Sequence, residues 1–157
     1  MFFLNEQDII QHMTFRKKKF LGQNFLNNKN ILMSLVDAGD ISKKDIVLEV
    51  GPGFGTLTTL LAERAKKVVA VEKDRDLIPM LQEKFSSKGG STSGGKNNIT
   101  IIEGDILQIK ESRPLGEVFG SSYKIIANIP YYITGHFLRL FLESDDLRPS
   151  MMVLMVQ

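Results

Sequence analysis

The sequence predicts an α/β fold: a mostly parallel sheet with helices on both faces. Three observations predict it. Short runs rich in branched apolar residues ("DIVLEV", "KVVAVE", "ITIIE", "YKIIAN", "MMVLMV") alternate with stretches of helical periodicity. The first run leads straight into a glycine turn, "GPGFG". A glycine turn or a polar hydrogen-bonding residue also stands at the end of each of the first four runs, where an open parallel sheet binds its ligands.

Each element has its own warrant. In "NKNILMSLVDAG", Ile31, Leu32, Leu35 and Val36 fall on one helical face, and Gly39 is a stop. Asp45–Val50 reads as a buried strand, and "TLTTLLAERA" as a helix with Thr56 as its cap. "KVVAVE" is the second strand. "DRDLIPMLQEKF" is a helix if it starts near Asp76, because Pro79 then lies in the first turn, where amides have no intrahelical partner. Ser86–Asn98 is a Gly/Ser-rich stretch expected as a mobile surface loop. "ITIIE" is the third strand, "SRPLGEVFGSS" a connection and "YKIIAN" the fourth strand. "TGHFLRLFLE" is a helix with Phe137, Leu138, Phe141 and Leu142 on one side, and Met151–Val156 is the fifth strand. Residues 1–27 form a separate basic arm, and 28–157 form the sheet domain. A chain that stops on an uncovered apolar strand leads to the expectation of a fragment.

Composition narrows the function. The 157 residues are 43% hydrophobic and 24% charged, an ordinary globular balance, and the net charge is +2. The one basic cluster is Arg16, Lys17, Lys18 and Lys19, flanked by Phe20 and Phe25, and it suits contact with phosphates. There is no cysteine, so no disulfide scaffold or thiolate metal site, and two histidines are too few for a histidine metal centre. No run approaches the ~20 apolar residues that span a bilayer, and the start does not read as a signal peptide. A soluble, cytoplasmic, monomeric protein with no membrane and no metal is expected.

The strand ends carry the chemistry. Gly51, Gly53 and Gly55 let the backbone turn and approach a ligand without Cβ clashes. Glu72 follows about 20 residues later, the usual place for a ribose-binding acid. Asp105 ends the third strand and Asn128 the fourth. Each alone is an ordinary turn or surface residue; together, in register with the strand ends, they describe a nucleotide-type cofactor site. The spacing G-x-G-x-G lacks the third glycine placement of a dinucleotide site. A glycine turn and a helix N-terminus can instead approach an amino-acid carboxylate or ribose. Glu72 would accept from the ribose hydroxyls and Asp105 from an adenine amine. That inventory suits S-adenosylmethionine better than NAD.

"NIPYY" fits the same chemistry. An exocyclic aromatic amine is a poor nucleophile because its lone pair is delocalised into the ring. The Asn128 side-chain carbonyl and the backbone carbonyl of Ile129 or Pro130 can accept its two hydrogens. That favours pyramidal nitrogen and stabilises the positive charge that develops there. Pro130 fixes the backbone, and Tyr131 offers a ring for stacking the base, worth ~1–3 kcal/mol. The base must be unpaired or flipped out to enter. Tyr132 is expected to pack internally.

"FLGQNFL", "LEVGPGFGTLT", "VVAVEKDRDL", "EGDIL" and "NIPYYIT" stand in the order found in ribosomal RNA adenine N6,N6-dimethyltransferases, and the chain resembles that family from about Lys18 to Gln157. The resemblance implies a Rossmann-like class I S-adenosylmethionine-dependent methyltransferase fold. It implies cofactor contacts from Asn24, Leu26, Gly51, Glu72, Asp105 and Asn128, with Asn128, Pro130 and Tyr131 holding the target adenine; the roles of Asn24 and Leu26 rest on it alone. The motifs are most similar to those of small-subunit (16S) enzymes, which implies dimethylation of two adjacent adenines in a hairpin loop near the 3′ end of 16S rRNA, with the small ribosomal subunit as partner. Other readings are a large-subunit (23S) methyltransferase of the macrolide-resistance type, a non-catalytic RNA-docking factor of the same fold, and an NAD oxidoreductase. The family continues into further strands and a C-terminal helical domain, so the resemblance also implies a sheet cut short after the fifth strand.

Overall fold

The computed structural model describes residues 28–86, 98–109 and 122–156. In chain order these form α1 (Lys29–Ala38), β1 (Ile46–Val50), α2 (Thr56–Arg64), β2 (Lys67–Glu72) and α3 (Ile78–Phe85). There follow β3 (Ile99–Glu103), β4 (Lys124–Asn128), α4 (Thr134–Leu142) and β5 (Met151–Met155). The basic arm with Arg16, Lys17, Lys18 and Lys19, the pair Asn24 and Leu26, and most of the Gly/Ser stretch lie outside the described residues.

All five strands run parallel, in the order β3-β2-β1-β4-β5. The order reverses at β1: β2 and β3 build outward on one side of it, β4 and β5 on the other. Such a reversal opens a crevice beyond the carboxyl ends of the two central strands. The β1–β4 ladder covers Val47↔Lys124 and Leu48↔Ile125, whereas β1–β2 continues from Ile46↔Lys67 to Val50↔Val71.

Successive strand residues point to opposite faces, and the core divides accordingly. Val47, Val68 and Ile126 pack with Leu32, Leu35 and Val36 of α1 and with Leu57, Leu61 and Ala62 of α2. Leu48, Val69 and Ile125 pack with Phe137 and Phe141 of α4 and with Ile106 and Ile109. The two rings of α4 lie 4.7 Å apart and are fully buried. Parallel strands covered on both faces can be apolar throughout, which is why β2 and β4 read as apolar between their ends and β1 is interrupted only by Glu49.

Several local expectations need correction. Ile31 is 40% exposed, so the buried stripe of α1 is Leu32, Leu35 and Val36. Leu142 is also exposed, and Leu138 is only half-buried. Thr56 does not cap α2. The cap is Gly55, whose left-handed backbone (φ 75°) starts the helix without a side-chain hydrogen bond, and Thr56 is the first helical residue. Gly39 ends α1 with an ordinary φ of −74°, while Asp40 takes the left-handed turn (φ 41°). Packing demands the glycine: a Cβ there would sit 2.5 Å from Cδ1 of the buried Ile126. Lys124 locks this corner, donating to the Gly39 and Asp40 carbonyls at 3.1 and 2.6 Å and pairing with Asp45 at 3.3 Å. Pro79 does sit in the first turn of α3, which begins at Ile78, two residues later than expected.

Candidate functional site

Four strand ends converge on the crevice. After β1, Gly51, Gly53 and Gly55 all take positive φ (66°, 58° and 75°), a conformation that side chains resist. They serve different purposes. A Cβ on Gly55 would meet the Phe85 ring at 2.7 Å, so this glycine lets α3 pack against the turn. A Cβ on Gly51 would meet nothing within 4 Å. Gly51 therefore leaves an open space at the carboxyl end of β1 that, among the described residues, no neighbouring side chain fills. Beside it, α2 begins at Gly55, which brings no side-chain cap; the Thr58 amide of the first turn faces the Glu49 carboxyl, and the helix start still favours a polar or anionic acceptor.

Glu72 ends β2 and is 6% exposed. Its Oε2 accepts the Gly53 amide at 3.1 Å and its Oε1 the Asp74 amide at 2.8 Å. Burial pushes this carboxyl up, and the amides of Asp74, Gly53 and Lys73 pull it back towards ionisation. Glu72 thus ties the glycine turn to β2, a role the sequence did not reveal. The three amides still leave the carboxylate a lone pair for a ligand hydroxyl.

Asp105 follows β3. Its Oδ1 accepts the Leu107 amide at 3.0 Å and so caps the short turn Ile106–Gln108. Its Oδ2 takes Lys73 Nζ at 2.7 Å. Burial alone would raise the carboxyl, but Lys73 and the Leu107 amide hold it below its ordinary value. The carboxylate is thus ionised, fixed by the turn it caps and 20% exposed.

Asn128 ends β4 in register with Met155 and is half-buried. Ile129 is buried and donates its amide to the Met155 carbonyl at 3.1 Å. The Pro130 carbonyl accepts the Ile133 amide at 3.2 Å and the Thr134 hydroxyl at 3.3 Å. That oxygen is therefore engaged within the turn. Tyr131 is 65% exposed. Tyr132 does not pack internally as expected: it is 48% exposed and meets the Tyr131 ring edge-on, centroids 5.9 Å apart. The two rings follow Pro130 in a tight turn (Tyr131–Ile133) at the surface, so neither reaches the core.

The structure thus brings Gly51, Gly53, Glu72, Asp105, Asn128, Pro130 and Tyr131 to one edge of the sheet. Sequence reasoning missed two residues there. Glu49 is 1% exposed inside β1, and burial pushes its carboxyl up to about 8. Among the described residues, its Oε2 and the Thr58 hydroxyl are both buried with no partner at ordinary hydrogen-bond distance. The signal was present in "IVLEV", a lone acid within a buried run. The second is Lys73, next to Glu72 in sequence but paired with Asp105. Among the described residues no cluster of three or more His, Cys, Asp or Glu could hold a metal ion, and no helix is long and apolar enough to cross a membrane.

Comparison with known proteins agrees with this geometry. The family model "Ribosomal RNA adenine dimethylase" matches residues 14–157. A curated relative, Ribosomal RNA small subunit methyltransferase A of Alkaliphilus metalliredigens (strain QYMF), is 41% identical over 150 residues, covering 95% of this chain and 49% of that protein. The crystal structure of the 23S rRNA methyltransferase ErmE matches with a TM-score of 0.68 and 29% identity, over 85% of this chain and 48% of the other. A dimethyladenosine transferase from Plasmodium falciparum matches with a TM-score of 0.64 and 31% identity, over 85% and 43%. The chain spans about half the length of the curated relatives it matches. A match over residues 14–157 takes in every described element of the sheet and every residue at its carboxyl edge, and the chain belongs to the ribosomal RNA adenine dimethylase family.

Proposed function

We propose that this chain carries the cofactor site and target-base pocket of an S-adenosylmethionine-dependent rRNA adenine N6,N6-dimethyltransferase acting on the small ribosomal subunit. The observation that carries the reading is the convergence of the open Gly51 turn, Glu72, Asp105 and Asn128 on the crevice at the reversal of strand order. The small-subunit assignment draws its support from the 41% identity to a small-subunit methyltransferase. The 23S rRNA methyltransferase structure at 29% identity favours a second reading, a large-subunit substrate.

S-adenosylmethionine, when bound, supplies a methyl group on an electrophilic sulfonium. The residues of this chain do the rest. Glu72 accepts from the ribose, Asp105 from the adenine amine of the cofactor, and the uncapped start of α2 with Gly51 and Gly53 receives its aminoacyl end. Asn24 and Leu26 add contacts from the N-terminal side. Asn128 and the Ile129 carbonyl accept the two hydrogens of the target amine. They aim its lone pair and stabilise the charge that grows on nitrogen, so no strong general base is needed. Pro130 holds this corner rigid, and the exposed Tyr131 ring stacks the extruded base. Arg16, Lys17, Lys18 and Lys19, on an arm of residues 1–27, contact the RNA backbone.

The test uses the chain itself and a chimaera joined to the carboxyl half of a curated relative. Both are incubated with methyl-labelled cofactor and either small-subunit particles or large-subunit rRNA, each lacking its usual methylation. Labelled dimethyladenosine from the small subunit is expected. Label confined to large-subunit RNA establishes the second reading. Cofactor binding without transfer by the chimaera points to an RNA-docking role, and NADH bound in preference to S-adenosylmethionine overturns both.

A further inference from the structure

The buried acid of β1 has no part in the reading above, yet it lies beside it. The register Glu49↔Ala70 puts Glu49 on the same face of the sheet as Glu72, two residues further along β2. Its other surroundings are few. On α2, Thr58 offers a hydroxyl and an amide; on α3, Lys84 is the cation whose field reaches it, with Nζ donating to the Phe54 carbonyl at 2.9 Å. The neighbours on α1 and β4 in this layer, Leu32, Leu35, Val36 and Ile126, are apolar. Glu72 is served differently, by three amides, those of Gly53, Lys73 and Asp74, with the buried Asp74 carboxyl as a further negative neighbour.

Two carboxyls therefore share one buried face, and both cannot ionise cheaply. The proton goes to the poorly served one. Three amides favour the anion at Glu72, while Glu49 keeps an oxygen without a partner. We propose that Glu49 is a positioning residue: it retains a proton so that Glu72 stays ionised, holding the Gly53 turn in the shape that receives the cofactor.

This inference rests on the cofactor site proposed above. Once Glu49 ionises, its charge repels Glu72 through a medium that screens poorly, and the Glu72–Gly53 bond loosens. The competent turn then exists only in the protonated fraction, and apparent affinity falls with that fraction. Burial first, then the Glu72 charge, place the Glu49 titration at about 8. One such proton implies an affinity loss of about tenfold between about pH 7 and about pH 9.

The experiment is calorimetric titration of the chain with S-adenosylhomocysteine from about pH 6 to about pH 9, for wild type and Glu49→Gln. The amine of this probe titrates in the same range, and the variant, sharing the probe, isolates the contribution of the protein. Wild type is expected to show the decline. Glu49→Gln, neutral at every pH, is expected to match wild type at pH 7 and to lose the extra decline. Equal slopes in the two proteins, or a flat wild type, overturn the inference and leave the cofactor site standing. Failure of both to bind at any pH overturns the cofactor reading and this inference with it. Should Glu49→Gln not fold, carbon-13 NMR of labelled glutamates in wild type decides instead. A carboxyl titrating near 8 supports the proposal, and none titrating above neutral pH overturns it.

Discussion

Lys73 Nζ lies 2.7 Å from Asp105 Oδ2, so the acid just beyond β3 is held by the residue that follows β2. Lys73 is mostly exposed, and pairs of this kind contribute ~0–1 kcal/mol to stability. In the proposed cofactor site, the value of Asp105 lies in binding. Asp105→Asn is expected to weaken S-adenosylhomocysteine binding by about tenfold or more, since a hydrogen bond to a charged acceptor contributes ~1.5–3 kcal/mol. The melting temperature should hardly move. Parallel calorimetric titrations and thermal melts check both halves.

The glycine turn yields a paired prediction. Gly55→Ala puts a Cβ 2.7 Å from the Phe85 ring at a φ of 75° and is expected to destabilise the fold by roughly 2–4 kcal/mol. Gly51→Ala meets open space and costs only backbone strain, about 1 kcal/mol. Its effect should fall on the cofactor, whose approach the new methyl obstructs. Denaturant melts should separate the two variants in stability, and cofactor titration should find Gly51→Ala folded but weak in binding. Equal stability losses would contradict this division.

At the β4 end, Asn128→Ala is expected to reduce methyl transfer by at least 100-fold, because it removes an acceptor whose full effect is felt as charge develops on the amine. Tyr131→Ala removes a stacking surface worth ~1–3 kcal/mol and Tyr131→Phe keeps it. The ordering of rates should therefore be wild type, then Phe close behind, then Ala. Single-turnover transfer by the chimaera, with cofactor binding measured separately, distinguishes a loss of chemistry from a loss of cofactor.

Glu49 also predicts how stability responds to pH. Its carboxyl is raised from 4.5 to about 8 by burial, so the folded state holds this proton more tightly than the unfolded chain does. The corresponding stability is full below about 4.5 and is lost as pH rises through about 8. Glu72, raised by the same cause, adds a contribution of the same sign. Melts at mildly acidic and alkaline pH should show wild type losing stability on the order of a few kcal/mol. Glu49→Gln should show a shallower dependence and be the more stable protein at alkaline pH.

The sequence by itself determined the run of elements, because period-two and period-3.6 burial leave marks in composition that need no tertiary knowledge. It also determined that Gly51, Glu72, Asp105 and Asn128 come together, since each ends or closely follows a strand and parallel strands end at one edge. It failed where a residue has two masters. Gly39 ends α1 as the sequence reads, but the sequence does not show that the Ile126 side chain also requires a glycine there. Thr56 reads as a cap, but the turn needed a left-handed residue that only Gly55 supplies without strain. Tyr132 reads as core, yet the tight turn after Pro130 carries it to the surface. Tertiary structure alone decided that Lys73 pairs with Asp105, that Glu72 holds the Gly53 amide, and that Glu49 is buried on the same face as Glu72. Those relations join residues on, or just beyond, different strands. They depend on strand order and register, and local sequence encodes neither, because neighbours across a sheet are chosen by how the whole chain packs.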